Sequence, residues 1–297
     1  MNAALDRKGL AAATFAFIAW GLVPLYWHLL KIVPSSQIIA HRIVWSALLL
    51  LLWLVPRSGL RWWREIRAHK HAAPALALSS LLIAFNWGLY IWAVNAGHVV
   101  QTSLGYFINP LLNVLLGVVI LRERLNILQW LAIACAALGV AWLTWQSGAP
   151  PWIALGLAFS FALYGLVRKL VAVDAIGGLA LESLYLFLPA LAFLLWAEAG
   201  HGGEFTGGWG WNISALLIGG GAITALPLLG FTYGVRRVPL SVVGLLQYLS
   251  PSLSLLIGVV ILHEPFNNDL ALGFAAIWLG LLLFAGDGWR RARRVAV

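Results

Sequence analysis

Charge is what this chain has least of. Only 10 of its 297 residues are Asp or Glu, and none lies at the middle of an apolar stretch, which argues against a proton relay of the deep-carboxylate kind. A single cysteine, Cys135, excludes an internal disulfide and a cysteine metal cluster; its place inside an apolar run marks it as a packing residue. There is no G-x-x-x-x-G-K phosphate loop, so ATP does not power the chain's activity, and there is no H-E-x-x-H zinc string. What remains implies no cofactor and no metal.

Apolar sequence is what the chain has in excess. Hydrophobic residues make up 62% of it and the mean hydropathy is +0.91, more than a soluble core absorbs, so the solvent is lipid. Ten stretches approach the roughly 20 residues that a crossing helix needs. They run from Gly9 to Leu30, Gln37 to Val55, Ala73 to Ala96, Thr102 to Leu121, Leu128 to Trp145, Pro151 to Val167, Gly178 to Ala197, Asn212 to Gly234, Leu240 to Leu262 and Leu270 to Asp287. Continuous rather than alternating apolar runs select helices over a barrel, so the fold expected is an all-α integral membrane protein of ten transmembrane helices. The first stretch has no small-residue cleavage site before the second follows and reads as a retained helix.

Basic residues are placed unevenly. With the N-terminus inside, 17 of the 19 Lys and Arg fall on cytoplasmic segments: Arg7 and Lys8, five between Arg57 and Lys70, Arg122 and Arg124, Arg168 and Lys169, Arg236 and Arg237, and four between Arg290 and Arg294. The outer loops hold Lys31, and Arg42 lies within a span. This is the positive-inside pattern, with both termini cytoplasmic. The net charge of +9 therefore reports topology and anionic headgroups; no basic groove with interleaved aromatics argues for a nucleic acid.

The chain also repeats itself. Asn86 to Leu143 aligns without a gap on Pro227 to Phe284 at an offset of 141, most clearly as NPLLNVLLGVVILRERLN (Asn109 to Asn126) against SPSLSLLIGVVILHEPFN (Ser250 to Asn267). Upstream, FAFIAWGLV from Phe15 resembles FSFALYGLV from Phe159 at an offset of 144. Five helices per half is an odd number, so the second copy enters the membrane upside down. The charges agree: Asn95 and Ala96 become Arg236 and Arg237, while Arg122 and Arg124 become His263 and Pro265. Residues 1–146 form the first five-helix repeat, 151–289 the inverted second, and 290–297 a basic tail. Inverted repeats place a pseudo-two-fold axis in the membrane plane and a shared cavity near the midplane.

These residues resemble the EamA-type drug/metabolite transporter superfamily, whose halves each carry a proline-broken fourth helix followed by a glutamate, here Pro110 with Glu123 and Pro251 with Glu264. AHRIVWS (Ala40 to Ser46), FNWGLYIWAVN (Phe85 to Asn95), SLGYFINP (Ser103 to Pro110), GLAFSFALYGLVRK (Gly156 to Lys169), PLLGFT (Pro227 to Thr232) and QYLSP (Gln247 to Pro251) are similar to its RarD branch. The resemblance implies a ten-helix permease of the bacterial inner membrane. The outer loop Gly200 to Trp211 departs from it.

Several polar residues are candidates for a site. Pro110 and Pro251 each remove a backbone donor and free a carbonyl, of Tyr106 and of Gln247; they read as hinges or site walls, or as packing kinks. Around them stand Tyr106, Asn109 and Asn113 in the first half and Gln247, Tyr248, Ser250 and Ser254 in the second. Buried amides in lipid need partners, so they bind substrate or glue helices. Asn86 and Tyr90 put an amide and an aromatic on one face of the third span, suited to a planar amphipathic solute. His41 and Arg42 lie one turn inside the outer end of the second span. They are gates or contacts for an anionic group, or Arg42 is a snorkelling anchor. His41 corresponds in the repeat to Glu182, one turn inside the cytoplasmic end of the seventh; either is placed to gate a mouth or take up a proton. Glu123 has Arg122 and Arg124 as neighbours, whereas Glu264 has only His263, which makes Glu264 the functional member of that pair.

A secondary transporter moving small organic metabolites or drugs by alternating access fits best. A sensor or scaffold without throughput is opposed by loops too short for a signalling domain. An intramembrane enzyme is opposed by the lack of a nucleophile with its base. Ala132, Ala136 and Gly139 permit close helix contacts within or between chains, which leaves a homodimer open.

Overall fold

The computed structural model describes residues 6–95, 99–147, 152–261 and 268–295. Among these, every regular element is a helix: α1 (Arg7–His28), α2 (Ser35–Ser58), α3 (Arg61–Ala68), α4 (Ala72–Asn95), α5 (Val99–Val119), α6 (Ile127–Ser147), α7 (Trp152–Leu170), α8 (Ala175–Glu198), α9 (Trp211–Val235), α10 (Leu240–Leu246), α11 (Leu249–Val260) and α12 (Asn268–Val295). Eight stretches are long and apolar enough to cross a membrane, in α1, α2, α4, α6, α7, α8 and α9 and over Leu240–Ile257; Gly105–Val119 and Ala271–Asp287 are shorter apolar helices. Leu52, Trp145, Leu188 and Leu282 stand exposed on the outside, where lipid is as apolar as they are.

Local chemistry sets the ends. The carboxylate of Asp6 accepts the amides of Lys8 (2.9 Å) and Gly9 (3.0 Å) to cap α1, and Asp174 does the same for α8 through Ile176 (3.0 Å), each satisfying orphan donors of a first turn. The basic run from Arg57 to Lys70 contains a helix, α3. Trp62 and Ile66, four apart, are buried while Arg61, Arg64 and Arg67 face outward, the spacing of an amphipathic helix.

Helices related by the repeat meet each other. In α6 and α12 the backbone of Gly139 rests on the carbonyl of Gly273, and Gly280 rests on that of Ala132; a Cβ at either glycine would lie 2.5 Å from the oxygen. Gly280 and Gly273 are the counterparts of Gly139 and Ala132 at the 141-residue offset, so the contact is reciprocal and the helices antiparallel. In the same sense, α5 crosses α10: Gly244 lies against the Pro110 carbonyl, and the Tyr248 hydroxyl donates at 3.2 Å to the carbonyl of Phe107, its own counterpart. The remaining pairings also exchange with one another: α1 packs on α9 and α11 as α7 packs on α4 and α5, and α2 packs on α9 as α8 packs on α4.

Three expectations change. α5 is continuous through Pro110, and the interruption falls only in the second copy, at Gln247 and Tyr248 between α10 and α11. Pro251 sits in the first turn of α11, where a missing N–H breaks no helical bond, and the Gln247 carbonyl accepts the Ser250 amide at 3.2 Å, so it is not free. Glu123 is not partnered by Arg122 or Arg124. It accepts the amides of Leu240 (2.6 Å) and Ser241 (3.0 Å) and the Ser241 hydroxyl (2.6 Å), a carboxylate at the positive end of α10. Arg168, read from its position as a cytoplasmic cation, is 1% exposed inside the bundle.

Candidate functional site

A cavity lies among α2, α4, α7, α8 and α9, walled by Ile83, Trp87, Tyr164, Glu182, Ser183 and Thr224. Because α2 begins at Ser35, Arg42 enters the bundle about 10 Å below that helix end, two turns rather than one. Its guanidinium carbon sits 4.8 Å from the ring centre of Trp27 and 5.0 Å from that of Trp87, and its Nε donates to the Thr224 hydroxyl at 2.8 Å. Thr224 in turn donates to the Gly220 carbonyl at 2.7 Å, which fixes the hydroxyl as an acceptor toward Arg42. Tyr90 and Tyr106, edge to face with centres 6.0 Å apart, are both within electrostatic range of Arg42. Tyr106 is nevertheless 48% exposed and Arg42 itself is half-buried, so this aromatic cluster is not sealed inside the bundle. Among the described residues the ion pairs are Arg168–Glu182 and Arg237–Asp6; Arg42 belongs to neither.

A second charged group, on the wall of that cavity, is closed off. Glu182, two turns into α8 because that helix begins at Ala175, pairs with Arg168 at 3.5 Å. The carboxylate also accepts the Ser79 hydroxyl and, at 3.4 Å, the Tyr164 hydroxyl. Arg168 Nη2 donates to the Ala175 carbonyl at 3.2 Å. The guanidinium fills the space beside Gly178, where a Cβ would collide with it.

The amides from the two halves come together where α5 crosses the α10–α11 break. Asn113 donates to Asn109 at 3.1 Å and to Gln247, and Gln247 reaches Asn109 at 3.4 Å. The three are buried, and the Asn113 carbonyl oxygen has no partner. Tyr248 is buried on Phe107, and Ser250 is half-buried beside Gly21 of α1. Asn86 does not share the exposed face of Tyr90: it donates to the Leu157 carbonyl (2.8 Å) and to Ser160 (2.9 Å) and ties α4 to α7. His41 packs under the loop between α8 and α9, 4.7 Å from the Phe205 ring, and accepts from Trp45 at 3.3 Å. That loop is pinned by Glu198, which accepts the Phe205 amide at 2.6 Å, and by Gln37, which donates to the Gly202 carbonyl at 2.8 Å. Glu264 lies outside the described residues. No three potential metal ligands converge among the described residues.

Trp27, Thr224, Ser79, Tyr164 and Arg168 did not stand out as site residues in the sequence. A signal existed for Arg168: Gly178, ten residues on, leaves room for a large side chain beside α8.

The EamA-like transporter family matches residues 7–145 and again 151–286. Uncharacterized transporters of Pseudomonas aeruginosa and Bacillus subtilis are each 44% identical, over 97% and 99% of both chains. Protein RarD of Escherichia coli is 40% identical over 100% of both. One solved crystal structure superposes with a TM-score of 0.69 at 20% identity, covering 93% of this chain and 96% of that one, a shared fold.

Proposed function

Because the chain belongs to the EamA-like transporter family, and is a multi-pass membrane transporter of its RarD branch, we propose that it is a secondary transporter. It carries small organic solutes across a bacterial inner membrane, exposing one cavity alternately to the two sides. The two halves, 1–146 and 151–289, are inverted five-helix units, with residues 290–297 a cytoplasmic tail. The observation that carries this reading is the reciprocal, antiparallel contact of Gly139 on the Gly273 carbonyl and Gly280 on that of Ala132. Such a contact is what a two-fold axis lying in the membrane plane produces, and inverted halves are the usual basis of rocking around a fixed site.

In this reading the amide cluster is the moving joint. Gln247 bonds both Asn113 and Asn109 across the interface between the halves, and the α10–α11 break with Pro251 lets one half shift against the other. The outer loop over His41 is the external gate, and the network around Glu182 closes the inner one. The test is solute uptake or efflux by the full chain in sealed proteoliposomes. Asn109→Ala and Gln247→Ala are expected to lower flux while protein level holds; unchanged flux in both removes the joint, and no flux of any solute by the native chain removes the transporter.

A further inference from the structure

We propose that Arg42 and the aromatic box around it bind the carboxylate of a small organic monoanion carrying a planar apolar body. This deepens the transport reading and rests on it. An arginine this far inside a membrane protein is costly when uncompensated, by about 2.5–3.5 kcal/mol on insertion scales. Here its compensation is incomplete in a way that leaves a ligand position. The two indoles of Trp27 and Trp87 cover the guanidinium at 4.8 and 5.0 Å, which orients its plane, and Thr224 takes up one donor at 2.8 Å. No carboxylate among the described residues pairs with it, and none of its nitrogens is a buried orphan. The remaining N–H groups therefore face the open side of the box, where a carboxylate is recognised by two parallel hydrogen bonds.

Charge count selects a monoanion. The Arg168 and Glu182 charges cancel each other, and Arg42 brings one further positive charge with no partner carboxylate among the described residues, so one positive charge is left to be met. A phosphate dianion would leave an uncompensated negative charge in the interior. Tyr90 and Tyr106 add hydroxyl donors, and their edge-to-face rings, 6.0 Å apart, offer an aromatic face and an aromatic edge to the body of the solute.

The experiment is thermal stabilisation of the purified full-length protein by benzoate, phenylacetate and indole-3-acetate, by their amides, and by phenyl phosphate. The carboxylates are expected to stabilise the native chain, with the amides and phenyl phosphate at least about tenfold weaker, the loss expected of a missing charge-assisted contact. Arg42→Gln is expected to abolish the difference between acid and amide, and Arg42→Lys to keep part of it. No stabilisation by any of the three acids, equal stabilisation by acids and amides, or tighter binding of phenyl phosphate overturns the proposal; the native-chain comparison needs no variant to fold. Flux in proteoliposomes separates this from the wider reading: uncharged solutes crossing without acid binding leaves the transporter and removes the site, whereas acid binding without flux of any solute does the reverse.

Discussion

Arg168 and Arg42 both lie inside the helical bundle, yet Arg168 is sealed, 1% exposed and 3.5 Å from Glu182, whereas Arg42 rests on aromatic faces with no carboxylate. The first arrangement neutralises its charge within the protein, and although Nε and Nη1 of Arg168 carry no hydrogen bond they are buried away from any solute. The second keeps the charge desolvated on two sides and unspent on the third. In lipid, where an unpaired charge is expensive, the pair serves structure and the unpaired cation serves recognition.

The comparison breaks most sharply at Glu182. Glu182→Leu leaves Arg168 buried without its partner and is expected to cost about 3–5 kcal/mol of stability, read as the unfolding midpoint in detergent. The double variant Arg168→Leu with Glu182→Leu recovers most of that loss; a single variant as stable as the native chain ends the structural role of the pair. Arg42→Gln sharpens the contrast from the other side. Its stability stays within about 1 kcal/mol of native, the range of changes that break no buried pair, while carboxylate affinity falls about tenfold or more. Trp87→Leu removes one face of the stack and is expected to weaken carboxylate binding by about 0.5–2 kcal/mol, measured by the same ligand-dependent shift. Thr224→Val gives the smallest effect, about 1 kcal/mol in affinity, because it deletes one hydrogen bond that only orients the guanidinium.

Much of the architecture was legible because lipid allows so few solutions. The apolar stretches are helical wherever they are described, the ninth as two helices, and the 141-residue offset marks pairs, such as Gly139 with Gly280, that make reciprocal contacts. The amides were also readable as a group, since Asn109, Asn113 and Gln247 in apolar helices must find partners; that they find each other is a tertiary fact. The burial of Arg168 was not legible because an Arg-Lys pair closing a helix has the same appearance whether it snorkels or turns inward, and its partner Glu182 lies beyond a loop. Asn86 was given the face of Tyr90 because four residues return to one side of a helix, but α7 approaches closely enough at Leu157 to claim the amide. The helix α3 hid inside a charge count: Arg61, Arg64 and Arg67 were tallied as topology while Trp62 and Ile66 carried its spacing.

Site, joint and gates all depend on the halves being inverted, and sidedness tests that directly. On a Cys135→Ser background, Ser58→Cys at the end of α2 and Gly202→Cys in the loop after α8 occupy corresponding places following the second helix of each half. In intact cells a membrane-impermeant maleimide is expected to label Gly202→Cys and to reach Ser58→Cys only after the membrane is opened. Labelling of both from the same side would contradict the account.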